Sequence, residues 1–300
     1  MRTPSLPRRL VKQALARMGY TLVSNARYAV VPRDFNSPLS DVERLDDGFW
    51  DTPRSMQGVD LAIEEAIELL TERLAPYIGE FERPADRPGY TFASGLYAVV
   101  DAEILYAMVR WLKPNTIVEL GSGASSHFIQ MAARRNAAAG RRLDHRIFDP
   151  YPFTASPLGA VDGAIVTAVR AEELDPALVT DSLDEGDVLF VDTTHTVKTG
   201  GDVDHIFSAI IPRLAPGVWV HIHDVFLPYE YPRVWVVDDR RLWAEQYLLH
   251  AFLAFNGSFR VRFPAMAVSR AAPETLAELV PGFSLAARPG AFWIERVARS

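Results

Sequence analysis

The sequence predicts an α/β fold in which a mostly parallel sheet carries helices on both faces, with a helical extension at its N-terminus. From Thr116 onward, short β-branched or apolar runs alternate with helical or turn segments, and this alternation is typical of strands joined by crossover helices. The run from Val188 to Val191 is apolar at every position, as expected of a central strand covered on both faces. The predicted strands are residues 116–120, 146–148, 164–169, 188–191, 218–222, 259–263 and 292–297.

The composition restricts the class of protein. A chain of 300 residues, 49% of them hydrophobic and 23% charged, can bury one large core or two modest ones. No apolar run approaches the roughly 18 residues that a membrane-spanning helix requires, and we expect a cytoplasmic protein. The absence of cysteine leaves histidine and carboxylate as the only strong metal ligands. The formal net charge of -7 argues against nucleic-acid binding and favours a small-molecule partner.

The first 33 residues differ from the rest because they hold seven basic residues and no acidic one. Leu6, Leu10, Ala14 and Met18 recur every four residues among these charges, which predicts an amphipathic helix that ends at Gly19. Three interpretations are open. The helix packs on the main domain, contacts anionic lipid or a partner at the surface, or belongs to an arginine-rich targeting peptide.

A connecting region leads from this helix to the predicted sheet. Residues 34–58 are rich in proline, aspartate, serine and glycine, which indicates an ordered connection without regular structure. A helix that Asp60 can cap follows, and another is predicted over about residues 96–112. We therefore predict a helical or irregular extension and cap over residues 1–90, and a ligand-binding domain over residues 91–300.

A glycine-containing turn follows the first predicted strand of the sheet. Gly121 and Gly123 permit backbone angles and a close ligand approach that a Cβ atom would obstruct, and Ser122 can cap the next helix. The dinucleotide-binding fingerprint requires a third glycine where this chain has Ser126, so pyrophosphate binding is disfavoured. Glu119 stands two residues before the glycines, and its carboxylate suits a cationic ligand better than a pyrophosphate.

An acidic residue also ends the second predicted strand of the sheet. Asp149, followed by Pro150, lies 28 residues after Gly121, and an acid at this place can accept hydrogen bonds from both ribose hydroxyls of a nucleoside. The alternative is a solvated aspartate in a turn before proline.

Histidine and aspartate are concentrated after the next two predicted strands. Asp192 and His195 follow one of them, and the sequence His221-Ile-His223-Asp224 ends the other. Neighbouring parallel strands end at the same edge of a sheet, so we expect these groups to converge. His195 and His223 are candidate general bases, each oriented by a carboxylate. His221 lies deeper in its strand and is interpreted as a core histidine.

Five motifs occur in order between residues 90 and 255. They are Val100-Asp-Ala-Glu-Ile-Leu-Tyr106, Glu119-Leu-Gly-Ser-Gly123, Asp149-Pro-Tyr-Pro152, Asp192-Thr-Thr-His-Thr-Val-Lys-Thr-Gly200, and His221-Ile-His-Asp-Val-Phe-Leu-Pro228. Together they resemble the class I S-adenosylmethionine-dependent methyltransferases, in the bacterial family-24-like branch. The resemblance implies a seven-stranded Rossmann-like fold that binds S-adenosylmethionine within residues 91–300. The residues it implies as cofactor contacts are Glu119, Gly121, Ser122, Gly123, Asp149, Pro150 and Asp192.

The resemblance also suggests a metal site. In catechol-type O-methyltransferases an aspartate and an aspartate–asparagine pair hold magnesium at the corresponding strand ends, where this chain has Asp192, His223 and Asp224. A histidine ligand favours iron, manganese or zinc over magnesium. The alternative is that the histidines serve only in acid–base chemistry or in hydrogen bonds.

Aromatic residues on either side of this region are candidates for lining the site. Tyr229, Tyr231 and Arg233 follow the strand that ends at Asp224 and are expected near the acceptor pocket. Tyr90, Phe92 and Tyr97 are expected to cover the cofactor, whose sulfonium an aromatic face attracts.

The predicted reaction is in-line attack by an acceptor oxygen or nitrogen on the methyl group of S-adenosylmethionine. The catalytic candidates are Asp192, His195, His223 and Asp224, one histidine taking the acceptor proton. Two alternatives stay open, because a fold does not decide the chemistry. The chain is a cyclase or lyase that consumes S-adenosylmethionine, of the azetidine-forming kind, or a non-catalytic module that binds a ligand or a membrane surface through residues 1–33.

Overall fold

The structure is a computed structural model that describes residues 6–25, 27–32, 34–37, 39–85, 92, 97, 99–151 and 161–298. The helices are α1 (Leu6–Arg17), α2 (Ile63–Glu68), α3 (Ala75–Ile78), α4 (Asp101–Leu112), α5 (Ala124–Ala138), α6 (Pro176–Thr180), α7 (Asp202–His205), α8 (Arg233–Val237), α9 (Glu245–Leu253), α10 (Ala265–Ala271) and α11 (Pro273–Leu279). The strands are β1 (Tyr20–Asn25), β2 (Arg27–Pro32), β3 (Thr116–Leu120), β4 (Asp144–Phe148), β5 (Ala164–Thr167), β6 (Val188–Val191), β7 (Trp219–Ile222), β8 (Phe259–Pro264) and β9 (Phe292–Arg296). π-Helical segments, Leu69–Leu74 and Ile206–Ile210, follow α2 and α7.

The chain divides into two compact units. The first comprises Met1–Thr52 and Glu230–Leu242, and the second comprises Pro53–Tyr229 and Trp243–Ser300. The domain boundary that the sequence suggests at residue 90 stays a prediction, and α2 and α3 belong to the second unit.

The first unit contains α1, which agrees with the predicted N-terminal helix, and α8. It also contains an antiparallel hairpin of β1 and β2, in which Tyr20 lies opposite Pro32. The hairpin is not among the elements predicted from the sequence, because the prediction for this segment rests on its basic charge. Its valines, threonine and tyrosines are typical strand residues.

The second unit is built on a seven-stranded sheet with the order β5-β4-β3-β6-β7-β9-β8. Pairing is parallel from β5 to β7, and β9 runs antiparallel to both β7 and β8. All seven predicted strands are present, with ends shifted by at most two residues. The predicted α/β, Rossmann-like, mostly parallel sheet is therefore confirmed.

Two hydrophobic cores cover the two faces of the sheet. Along β6, Val188 and Phe190 belong to the core that includes residues of α4 and α5. Leu189 and Val191 belong to the other core, which includes residues of α9 and of the π-helical segment Ile206–Ile210. This alternation is the period-two pattern of a strand buried on both faces. The predicted central position of this strand is confirmed.

Helix α4 starts later than predicted, at Asp101 rather than near residue 96. Val100 has a φ of 85° and its amide donates to the Glu103 carboxylate at 2.8 Å, which marks the start of the helix. Among the helices of the described residues, none is both long enough and apolar enough to cross a membrane.

Candidate functional site

Backbone hydrogen bonds bring four strand ends together at one edge of the sheet. The Gly121 amide donates to Phe148 at 2.9 Å, the Asp192 amide to Leu120 at 3.0 Å, and the His223 amide to Val191 at 2.9 Å. The loops that follow β3, β4, β6 and β7 therefore leave the sheet side by side. This is the edge at which open α/β sheets bind ligands.

The turn after β3 is held against the turn after β6. Gly121 has a φ of 88°, and a Cβ atom there would overlap the carbonyl oxygen of Asp192, so the close approach is to protein backbone rather than to a ligand. Gly123 differs, because its backbone is extended and a Cβ atom would meet no heavy atom within 4 Å. The space beside Gly123 is open to a ligand.

Asp149 is joined to the same turn. Its Oδ2 accepts hydrogen bonds from the Ser122 amide at 2.8 Å and the Ser122 hydroxyl at 2.6 Å, and its Oδ1 accepts one from the Tyr151 amide at 2.7 Å. The carboxylate is half-buried and Pro150 is exposed. The predicted cofactor residues after β3 and β4 are therefore in direct contact, while Pro152 lies outside the described residues.

Glu119 is fully buried within a polar network. Its Oε1 accepts from the Ser125 hydroxyl at 2.8 Å and the Ser126 hydroxyl at 2.9 Å, and its Oε2 lies 2.8 Å from His145 Nε2. His145 Nδ1 in turn lies 2.9 Å from Gln130 Nε2. This network ties β3 to β4 and to the start of α5. The predicted contact of Glu119 with a ligand stays a prediction.

The densest part of the site surrounds His195. Its Nδ1 lies 2.8 Å from Glu245 Oε2, and its Nε2 lies 3.3 Å from Asp192 Oδ1 and 3.6 Å from Asp224 Oδ2. Among the described residues, Asp192, His195 and Asp224 are the group that could hold one metal ion, since their candidate ligand atoms lie within 4.8 Å of one another. His223, the histidine in the predicted ligand set, is not in this group.

The carboxylates determine the protonation of the cluster. Burial alone would lower the pKa of His195, but its hydrogen bonds with Asp192 and Glu245 raise that pKa well above its usual value. Burial would raise the pKa of Asp192, but His223 and the hydrogen bond from His195 lower it to about 2. The pKa of His223 is also raised, because Asp224 and Asp192 outweigh its burial. The cluster therefore favours a positive charge.

His221 and His223 lie on one face of the sheet, as predicted, with their ring centroids 5.6 Å apart. His221 stacks on Phe190 at 4.3 Å, and its burial lowers its pKa well below the usual value, as expected of a core histidine. His223 stacks on Tyr97 at 4.4 Å, and its Nε2 lies 3.7 Å from Asp224 Oδ1. Its Nδ1 is buried without a hydrogen-bond partner among the described residues.

Two functional candidates are absent from the sequence-based prediction. Glu245 begins α9, is buried, and contacts His195 from a position 50 residues along the chain. The ring of Trp243 lies 4.2 Å from that of His195. In sequence the only signal is a glutamate at the start of a helix, which usually indicates a favourable contact with the helix N-terminus.

The predicted lining residues are placed unevenly. Tyr97 reaches the cluster through His223, and Phe92 packs on Phe128 at 6.3 Å. Tyr90 lies outside the described residues. Tyr231 and Arg233 belong to the first unit and Tyr229 to the second, and their part in an acceptor pocket stays a prediction.

A cavity of about 760 Å³ lies away from this cluster, at the opposite end of β7. Trp219, which begins β7, lines it together with Trp111, Arg262 and Glu295. The Arg262 Nε donates to Glu295 Oε2 at 2.6 Å, so these two charged groups beside the cavity are paired with each other.

Residues 118–225 match the family-24 model described as a methyltransferase domain. The match begins in β3 and ends just after Asp224. It includes the loops after β3, β4 and β6 and the start of the loop after β7. No curated protein sequence matches the chain at a significant level.

Several solved structures are similar. The structure of CmcI with Mg and SAM is 17% identical in sequence to this chain, with a TM-score of 0.40. The match covers 73% of this chain and 83% of the CmcI chain. A Thermobifida fusca protein assigned as a methyltransferase is 16% identical, with a TM-score of 0.40. That match covers 81% of this chain and 96% of the Thermobifida fusca chain. The CMeT domain of the citrinin polyketide synthase is 13% identical, with a TM-score of 0.39. That match covers 100% of this chain and 81% of the CMeT domain chain.

Proposed function

Because residues 118–225 match a model described as a methyltransferase domain, we propose that the chain is a class I S-adenosylmethionine-dependent methyltransferase. In this proposal it transfers a methyl group to an oxygen or nitrogen of a small-molecule acceptor. The observation that supports this most is the meeting of the Gly121–Gly123 turn with Asp149 on one side and Asp192 on the other. A nucleoside subsite and a cluster of acid–base groups then share one edge of the sheet.

S-adenosylmethionine supplies an electrophilic methyl group on a sulfonium. We assign its adenosine ribose to Asp149, whose carboxylate is kept in place by Ser122, with Pro150 beside it. The open space at Gly123 allows a close approach. Asp192 adds negative charge that attracts a sulfonium. Glu119 contributes by fixing Ser125 and Ser126 at the start of α5, which sets the path of the turn.

The donor set of Asp192, His195 and Asp224 fits a divalent metal. Two carboxylates and one imidazole suit manganese, iron or zinc better than magnesium, which prefers oxygen ligands throughout. A metal at this place would polarise the acceptor oxygen and lower its pKa. Asp192 and Glu245 raise the pKa of His195 well above its usual value, so a metal would displace a proton from this imidazole when it binds. In this assignment His195 is the histidine ligand of the metal, in place of His223, which the sequence predicts.

The proton of the acceptor requires a base. His223 is the better assignment when His195 holds a metal, because His223 lies outside the ligand set. Its Nε2 lies 3.7 Å from Asp224 Oδ1, and the charge of that carboxylate stabilises the imidazole once it is protonated. Without a metal, His195 is the alternative base, oriented by Glu245.

Binding and product analysis test the proposal. Titration calorimetry of the full chain with S-adenosylmethionine should show one site, and incubation with candidate phenols, alcohols and amines should yield S-adenosylhomocysteine with a methylated acceptor. Small molecules that copurify with the chain, identified by mass spectrometry, guide the choice of acceptors. Methylthioadenosine as the product would instead indicate a cyclase or lyase, and absence of binding would exclude the proposal.

A further inference from the structure

Glu245 is a buried acid in contact with the functional cluster but outside the segment that matches the methyltransferase model. We propose that Glu245 is the positioning residue for His195, and that it holds the imidazole so that Nε2 faces Asp192 and Asp224. The inference rests on the proposed function, in which His195 serves as metal ligand or base. Glu245 itself touches neither acceptor nor cofactor in this assignment.

The first support is the direct contact. His195 Nδ1 and Glu245 Oε2 are 2.8 Å apart, and both side chains are almost completely buried. When Glu245 is ionised its carboxylate only accepts hydrogen bonds, and Nδ1 then carries the hydrogen that is shared with Glu245. In the neutral ring, the other nitrogen, Nε2, is then the one whose lone pair is available to a metal or a proton.

The second support is the backbone. His195 has a φ of 56°, which is uncommon for a residue with a side chain. Its carbonyl oxygen accepts hydrogen bonds from the Ala244 amide at 2.9 Å and the Glu245 amide at 3.3 Å. The start of α9 therefore holds the main chain and the side chain of His195 at once.

The third support is the packing of the ring. Trp243 lies against the imidazole with a centroid distance of 4.2 Å. Because one short segment, residues 243–245, supplies the ring contact, the backbone donors and the carboxylate, the placement of α9 determines the direction of Nε2. Within the loop after β6, Asp192 contacts the other edge of the ring, 3.3 Å from Nε2.

The test compares E245A, which removes the acceptor, with E245Q, whose amide oxygen can still accept from Nδ1. The control is E295A, a glutamate on β9 that pairs with Arg262 away from the cluster. Mn²⁺ affinity is measured by calorimetry on the full chain, and a crystal structure of E245A gives the position of the imidazole. We expect a 10- to 100-fold weaker Mn²⁺ affinity in E245A, a smaller loss in E245Q, and wild-type affinity in E295A. In the crystal structure, His195 Nε2 should have left Asp192 and Asp224.

Turnover in a double-mutant cycle with H195A separates positioning from other roles. If Glu245 acts through His195, E245A lowers turnover in the wild-type background and has no further effect in the H195A background. An equal effect in both backgrounds, or an unmoved imidazole in E245A, would overturn the proposal. Absence of Mn²⁺ binding to the wild-type chain would contradict the metal assignment alone, and the imidazole position would still decide the role of Glu245.

Discussion

Asp149 is the residue to which we assign the most direct part in nucleoside binding. Replacement by alanine removes the acceptor that we assign to the ribose hydroxyls and frees Ser122 from its contact. Hydrogen bonds to a charged group contribute about 1.5–3 kcal/mol, so we expect Asp149→Ala to weaken S-adenosylmethionine binding by roughly 10- to 100-fold. Calorimetry measures the change. The matched control is Asp144→Ala at the other end of β4, where the carboxylate pairs with Arg146, and equal affinities of the two variants would contradict the ribose assignment.

His223 should affect the chemical step rather than binding. We expect His223→Ala to keep the affinity for S-adenosylmethionine within a few-fold and to lower turnover by roughly 10²–10⁴, as for the loss of a general base. Turnover is followed as S-adenosylhomocysteine formed per enzyme. His205→Ala is the control, because His205 bonds to the Leu174 carbonyl in the helical layer. Wild-type turnover in His223→Ala would remove His223 from the mechanism.

The site residues that follow strands closely are predictable from the sequence. Asp192, His195 and Asp224 are predictable, because parallel strands end at one edge and residues just beyond them meet. Glu245 is not, since its contact with His195 depends on where α9 packs, and no local pattern encodes this. Likewise Glu119 suggests a ligand contact in sequence, but the structure gives its carboxylate protein partners, one of which, His145, lies on the neighbouring strand.

Among the elements, the strands of the sheet are predictable and the hairpin is not. Buried strands such as β6 are continuous apolar runs, and such runs are recognisable in the sequence. The place of β9 between β7 and β8 follows from packing across the sheet, and the alternation of helices and strands does not specify it. The β1–β2 hairpin is short and lies within a basic segment, so charge obscures its period-two pattern.

The turn between β3 and α5 allows a matched test of two glycines. Gly121→Ala should destabilise the fold by roughly 3 kcal/mol, because a side chain at a φ of 88° is strained and its Cβ would overlap the Asp192 carbonyl. Gly123→Ala should change the free energy of unfolding by about 0.5 kcal/mol or less, since nothing lies within 4 Å of the added atom. Urea unfolding measures both.

Binding then distinguishes the two positions. Gly123→Ala, although stable, should weaken S-adenosylmethionine binding if the open space beside it receives the ligand. A Gly123→Ala protein with wild-type affinity would show that the ligand passes elsewhere. A Gly121→Ala protein as stable as the wild type would contradict the described contact with Asp192.

At the scale of the molecule, the function that we propose belongs to one unit. The sheet, the glycine turn, Asp149 and the His–Asp cluster all lie in Pro53–Tyr229 and Trp243–Ser300. Within the described residues, both hydrophobic cores take their members from Met56 to Ile294, and none of these members comes from the first unit. The chain has a net charge of -7, although its first 33 residues hold seven basic residues and no acidic one. The remainder is therefore more acidic than the whole chain, which suits the cationic cofactor that we propose.

A chain that starts at Pro53 should therefore fold and bind. It retains every member of the two cores, and cooperative unfolding of a domain depends on such a shared core. We expect one cooperative transition in urea and an S-adenosylmethionine affinity within a few-fold of that of the full chain, measured side by side by calorimetry. A non-cooperative transition would mean that residues 1–52 complete the core. Cooperative unfolding together with lost affinity would instead assign to those residues a direct part in the binding site.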